Sequence, residues 1–136
     1  MTVTPYLFFN GNCEEALNFY LETLGGKIEF LYRYKEAPAD EDMHGADPEN
    51  IMHAVYRVNE SAIFASDSCG EKSNMSGFSL SICAHDVPEG QKTFDALSAG
   101  GAVIMPFGPT FWTEGFGMLT DKFGVSWIVN CEQTPV

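Results

Sequence analysis

The sequence predicts an α+β protein made of two βαβββ modules, their curved mixed sheets set around a cleft with the helices outside. Three observations carry this expectation. An apolar stripe of helical period occurs twice, and each is closed by Gly-Gly. Short runs rich in β-branched and aromatic residues flank both stripes. The halves can also be laid over each other: Phe19…Gly25-Gly26 matches Phe94…Gly100-Gly101 at an offset of 75 residues, and Asn12…Glu15 falls over Asp86…Glu89 with a one-residue slip. One module cannot cover both faces of its own sheet, so two should pack together or across a dimer. The whole chain, 1–136, is read as a single domain, with module one about 1–68, a polar connector at 68–77 and module two about 78–132.

Taken in order, Thr2–Phe9 reads as a strand, and Pro5 within it marks a sheet edge. Asn10-Gly11 turns the chain. Asn12 and Glu15 then have the spacing of a capping box. Cys13, Ala16, Leu17, Tyr20, Leu21 and Leu24 follow in steps of three and four, which puts them on one helix face. Gly25 is the expected helix stop. Lys27–Tyr34 is a second strand. Lys35–Asn50 carries six carboxylates, two prolines and a glycine, the composition of a surface excursion in which His44 is solvated.

Ile51–Val58 and Ala62–Ser66 make a hairpin across Asn59-Glu60-Ser61. Strict alternation places Ile51, His53, Val55 and Arg57 on one face of the first strand. Past the connector, Phe78–Ala84 is a strand with Ser79, Ser81 and Cys83 on one face. Asp86 caps the second helix with Pro88 in its first turn and Glu89 completing a box; Phe94 and Leu97 lie on its buried side. Ala102–Met105 is a strand, Pro106–Thr113 a loop, and Gly115–Thr120 with Val125–Asn130 a hairpin turning at Asp121-Lys122-Phe123-Gly124.

Composition narrows the partners. At 45% apolar and 13% aromatic residues the chain has enough to bury a core. A net charge of −12 repels nucleic acid and anionic membrane surfaces, so neither is expected as a partner. The start, MTVTPYLFF, lacks the pattern of a signal peptide, and no apolar run has the length of a membrane span. The four cysteines have no CxxC spacing and read as free thiols of a cytoplasmic protein, with Cys69 the one expected at the surface.

The stretches PYLFFNGNCEEALNFYLETLGG, IMHAVYRV, ASDS, GFSLSI and MPFGPTFWTEGFGMLTDKFGVSWIVN together resemble the PhnB-like branch of the vicinal oxygen chelate superfamily, which includes glyoxalase I, bleomycin-resistance proteins and extradiol dioxygenases. The resemblance spans nearly the whole chain and implies a ligand cleft between paired modules and a homodimer. Members of this branch often carry a methyltransferase label. The chain has no glycine-rich strand-to-helix turn of the kind a nucleotide-type cofactor needs, so that activity is not expected.

In metal-dependent members of the superfamily, His and Glu side chains from four strands converge on one ion. The corresponding positions here fall near Pro5, Ser79, Phe64 and Ile128, none of which is a ligand side chain. No cofactor is therefore expected. A divalent metal held by a relocated set, His53, Asp67 and Glu114, is the alternative. His53 is the general acid/base candidate and Asp67 its candidate orienter, with Arg57 able to complete a polar trio. The other reading makes His53 a core or interface residue tied to Asp67. Tyr6, Phe111, Trp112 and Phe116 are the candidate aromatic wall for a small organic ligand, and Glu114 a candidate carboxylate for a cationic group. The function expected is small-molecule binding; an enzyme acting on a small oxygenated substrate is the rival.

Overall fold

The computed structural model describes residues 1–38, 45–68 and 72–131. His44 and Cys69 lie outside the described residues. The chain divides into two compact units, Met1–Asn74 and Met75–Val136. Each has a single helix against one face of a four-stranded mixed sheet.

Unit 1 runs β1 (Tyr6–Phe9), α1 (Cys13–Leu24), β2 (Lys27–Arg33), a 3₁₀ turn (Tyr34–Glu36), β3 (Ile51–Val58) and β4 (Ser61–Asp67). Its strand order is β1-β4-β3-β2, with β1 parallel to β4 and the other pairs antiparallel. Pro5 precedes an edge strand, where a missing N–H costs no ladder bond. The core forms between Leu7, Phe9, Ala54, Tyr56 and Ala65 of the sheet and Cys13, Ala16, Leu17 and Tyr20 of α1, all buried. Those four helical residues are the first part of the apolar stripe.

Unit 2 repeats the plan: β5 (Leu80–Ala84), α2 (Val87–Ser98), β6 (Ala102–Gly108), β7 (Phe116–Thr120) and β8 (Ser126–Cys131), in the order β5-β8-β7-β6. Phe94 and Leu97 of α2 meet Leu119, Trp127, Val129 and Ala84 in its core. The strand β6 continues through Pro106 to Gly108, past the expected end at Met105, because it too is an edge strand and tolerates proline. The repeated Gly-Gly has a packing cause in both units. A Cβ on Gly26 would collide with the Arg57 carbonyl, and one on Gly101 with the Thr120 carbonyl. The second glycine lets the chain leaving each helix run against the backbone of the neighbouring hairpin.

Three expectations need correction. The side chain of Asn12 makes no cap to α1. Asp67 of β4 does that work instead: its Oδ1 accepts the Gly11 and Cys13 amides at 2.9 Å each, and its Oδ2 accepts the Ile51 amide at 2.8 Å. Ile51 does not share a face with His53. Tyr32 pairs with His53 and the adjacent Arg33 with Ile51, so Met52 is an extra residue in β3, and this bulge turns Ile51 into the core. Among the described cysteines, Cys83 is exposed while Cys13 and Cys131 are buried. Period two places Cys83 with Ser81 on the face of β5 away from α2. The second helix keeps its expected cap: Asp86 Oδ1 accepts the Glu89 amide at 2.8 Å, and Glu89 Oε2 accepts the His85 amide at 3.3 Å.

Candidate functional site

Each sheet has one face covered by its helix and one that the helix leaves open. In unit 1 the strand registers put Tyr6, Phe8, Phe30, Tyr32, His53, Val55, Arg57, Phe64 and Ser66 on the open face. Four of the aromatics are well exposed: Tyr6 at 38%, Phe8 at 48%, Phe30 at 53% and Tyr32 at 43%. Tyr6 is stacked on Phe8 with centroids 4.8 Å apart, and Phe30 on Tyr32 at 5.8 Å. The result is an aromatic floor rather than a scatter of single apolar residues.

His53 is set into this floor. Its Nδ1 lies 3.0 Å from the Tyr6 hydroxyl, its ring is stacked on Tyr6 at 5.6 Å, and Phe64 meets it edge-on at 5.4 Å. Asp67 is not its orienter. The register pairs Asp67 with buried Phe9 on the helix side of the sheet, where its carboxylate is committed to three backbone amides. Arg57 shares the face of His53, but four residues along a strand separate them by about 13 Å. Its Nε donates to Glu29 Oε1 at 2.7 Å. That hydrogen bond, together with the guanidinium charge, holds the Glu29 carboxyl below its ordinary value. The polar trio of His53, Asp67 and Arg57 is therefore not assembled. The partner of His53 is Tyr6.

In unit 2 the open face carries Ser81 and Cys83 of β5, Ser126, Ile128 and Asn130 of β8, and Phe116 and Met118 of β7. Trp112 lies over Phe116 with centroids 5.2 Å apart, and Phe111 meets Trp112 at 4.8 Å. The loop that presents them is pinned from within. Thr110 donates its amide to the Thr113 carbonyl at 2.9 Å, and its Oγ1 accepts the Trp112 and Thr113 amides at 3.3 Å each. The Thr113 hydroxyl is buried and reaches the Cys131 carbonyl at 3.2 Å. Glu114 is exposed on this loop. Asn130 stands between Phe116 and Cys83 in the register, and its Oδ1 is buried without a hydrogen-bond partner among the described residues. Tyr6 belongs to unit 1, and Phe111, Trp112 and Phe116 to unit 2.

Of the four positions matched above to the superfamily's ligands, Pro5 and Ser79 directly precede β1 and β5, while Phe64 and Ile128 lie in β4 and β8. These offer neither imidazole nor carboxylate and do not fit a divalent ion. Among the described residues no three His, Cys, Asp or Glu side chains gather closely enough to hold one.

The sequence singled out Tyr6, His53, Arg57, Phe111, Trp112, Glu114 and Phe116; the strand registers add Phe8, Phe30, Tyr32, Cys83 and Asn130 to the open faces. The signal was there. Tyr6 and Phe8, like Phe30 and Tyr32, are two residues apart, the spacing of one strand face.

Comparison with known proteins agrees with this architecture. The family model for 3-demethylubiquinone-9 3-methyltransferase matches residues 1–130. Protein YjdN of Escherichia coli K12 is 38% identical over 139 aligned residues, covering 96% of this chain and 95% of that protein. The crystal structure of protein PA1353 from Pseudomonas aeruginosa is 42% identical, with a TM-score of 0.88 over 98% of this chain and 99% of its own. The PhnB protein from Bacillus cereus is 30% identical, with a TM-score of 0.81 over 97% and 100%. A glyoxylase/bleomycin resistance protein/dioxygenase domain from Frankia sp. EAN1pec, 13% identical with a TM-score of 0.69 over 98% of each chain, shares the fold. With this match over nearly its full length, the chain belongs to the PhnB-like family, described as 3-demethylubiquinone-9 3-methyltransferase, and it shares the fold of the glyoxalase/bleomycin resistance/dioxygenase proteins.

Proposed function

We propose that this chain is a cytoplasmic, metal-independent protein that binds a small organic molecule and works as a homodimer. The observation that carries the reading is the open face of unit 1, where exposed Phe8, Phe30 and Tyr32 share the sheet face of the Tyr6–His53 pair. Apolar walls with a few placed polar groups are the usual makeup of a small-molecule site. The Trp112–Phe116 pair of unit 2 supplies a second aromatic surface of the same kind. The side chains at the superfamily's ligand positions favour a metal-free role, and the net charge of −12 disfavours nucleic acid and anionic membranes as partners. No described helix is long and apolar enough to cross a membrane.

Native mass spectrometry of untagged protein, purified without chelator or added metal, tests this reading. A dimer mass without ions supports it, and an organic adduct would name the ligand class. One ion per chain would overturn the metal-free part.

The second reading is an enzyme with His53 as general base: the Tyr6 hydroxyl at Nδ1 orients the imidazole, and this role needs the tautomer in which Nδ1–H donates to the Tyr6 oxygen and Nε2 is bare. Loss of turnover in His53→Ala would establish it, whereas stoichiometric binding without turnover favours the binding protein. The methyl-transfer activity named in the family description requires S-adenosylmethionine, and a calorimetric titration without heat would remove it.

A further inference from the structure

Besides Arg57, Tyr6 and His53, the polar side chains of the unit 1 open face are Lys27, whose ammonium lies 3.9 Å from Glu29, and the hydroxyls of Tyr32 and Ser66. Arg57 is held by Glu29, and Tyr6 Oη by His53 Nδ1. His53 Nε2 has no hydrogen-bond partner among the described residues, although the ring is partly exposed. A neutral imidazole has one proton to place on two nitrogens, and the hydrogen bond at one nitrogen decides the other. A phenol hydroxyl is a good donor, while its oxygen accepts poorly because a lone pair is delocalised into the ring. The stronger of the two possible arrangements has the Tyr6 hydroxyl donating to Nδ1, which leaves the imidazole proton on Nε2. The floor of Tyr6, Phe8 and Phe64 then frames one N–H donor.

Resting on the reading of this face as a ligand surface, we infer that its occupant is a flat, mostly apolar ring compound carrying an oxygen acceptor. The ring lies on the aromatic floor and the oxygen receives the His53 Nε2–H. Tyr6 acts as a positioning residue that fixes the tautomer of His53. A ligand presenting an ammonium at this point would set donor against donor, so the acidity of the chain as a whole does not choose the occupant.

Two probes of one shape test this: 2-acetonaphthone, which has a carbonyl acceptor, and 2-ethylnaphthalene, which has none. Their affinities are read from chemical-shift changes of Tyr6, Phe8 and His53 resonances. The ketone should bind about tenfold more tightly, the worth of one good hydrogen bond. Tyr6→Phe should shrink that ratio and His53→Phe should abolish it, with 2-ethylnaphthalene affinity little changed. A long-range nitrogen–proton spectrum of the unliganded protein at pH 8 should show His53 protonated at Nε2 and bare at Nδ1. Equal affinities of the two probes, or a proton found on Nδ1, overturns the inference but leaves the ligand surface standing. Failure of both probes to shift unit 1 resonances overturns the ligand surface itself.

Discussion

Asp67 shows how a residue with the chemistry of a site can belong to the scaffold. It is 1% exposed, and its carboxylate closes three backbone amides from two separate segments, Gly11–Cys13 and Ile51. Asp67→Ala should cost about 3 kcal/mol in a denaturant titration, combining a lost helix cap with buried amides left unsatisfied. Asp67→Asn should not restore it, because an amide has only one acceptor oxygen for the two sides of the bridge. A variant within about 0.5 kcal/mol of the parent would contradict this role. In the sequence an Asp ends the strand that follows the one carrying His53, a pattern equally suited to catalysis. What decided between them was the side of the sheet on which Asp67 falls, and that depends on a register no local pattern sets. His53 was legible as the titratable residue of interest. Its partner Tyr6 was not, since 47 residues separate the two and the pairing needs β4 between them.

At the scale of elements, α1 is held to its sheet by Tyr56. The Tyr56 hydroxyl is shared between the Tyr20 carbonyl at 3.0 Å and the Gly25 carbonyl at 2.7 Å, and burial pushes its phenol up to about 12. Because the folded value lies above the ordinary 10.0, the neutral form supports the fold. That support is complete below pH 10 and disappears as pH rises through about 12. Stability measured from pH 9 to 12 should fall across this window, and Tyr56→Phe should flatten that part of the decline. The variant should also lose about 1 kcal/mol at pH 7. In unit 2 the corresponding tight spot is apolar. A Cβ on Gly90 in α2 would lie 2.7 Å from Phe107 Cζ and 3.0 Å from Cys131 Sγ, and one on Gly115 would meet the same two side chains. Ala is normally better than Gly in a helix by about 1 kcal/mol. Here Gly90→Ala should instead destabilise by about 1–2 kcal/mol through overpacking. Phe107→Leu should remove the penalty in a double-mutant cycle; a cycle without coupling would mean that α2 shifts to make room. Both helices and their stops were legible in the sequence, because period and Gly-Gly are local signals. The bulge at Met52 and the extension of β6 were not, because they arise from pairing between strands.

For the whole molecule, a net charge of −12 with only 7 basic residues makes the folded chain repel itself. Raising sodium chloride from low to physiological concentration should raise the melting temperature, since a Debye length near 10 Å at 0.1 M screens charges spread over the surface. A melting temperature unchanged by salt would show that local ion pairs such as Glu14–Arg33 and Glu29–Arg57 already neutralise the strain. The duplication was legible as an alignment of helices, but the alignment concealed a difference. The start of α2 is capped from within its own turn, across 3 residues, whereas that of α1 waits for a carboxylate 54 residues further along the chain. Two copies of one plan thus differ in contact order, and with it in the loop entropy to be overcome before each helix is complete. The first turn of α2 can be in place while its sheet is still assembling. The first turn of α1 arrives with β4, so in native-state hydrogen exchange the Cys13 amide should open together with those of β4 as one cooperative unit.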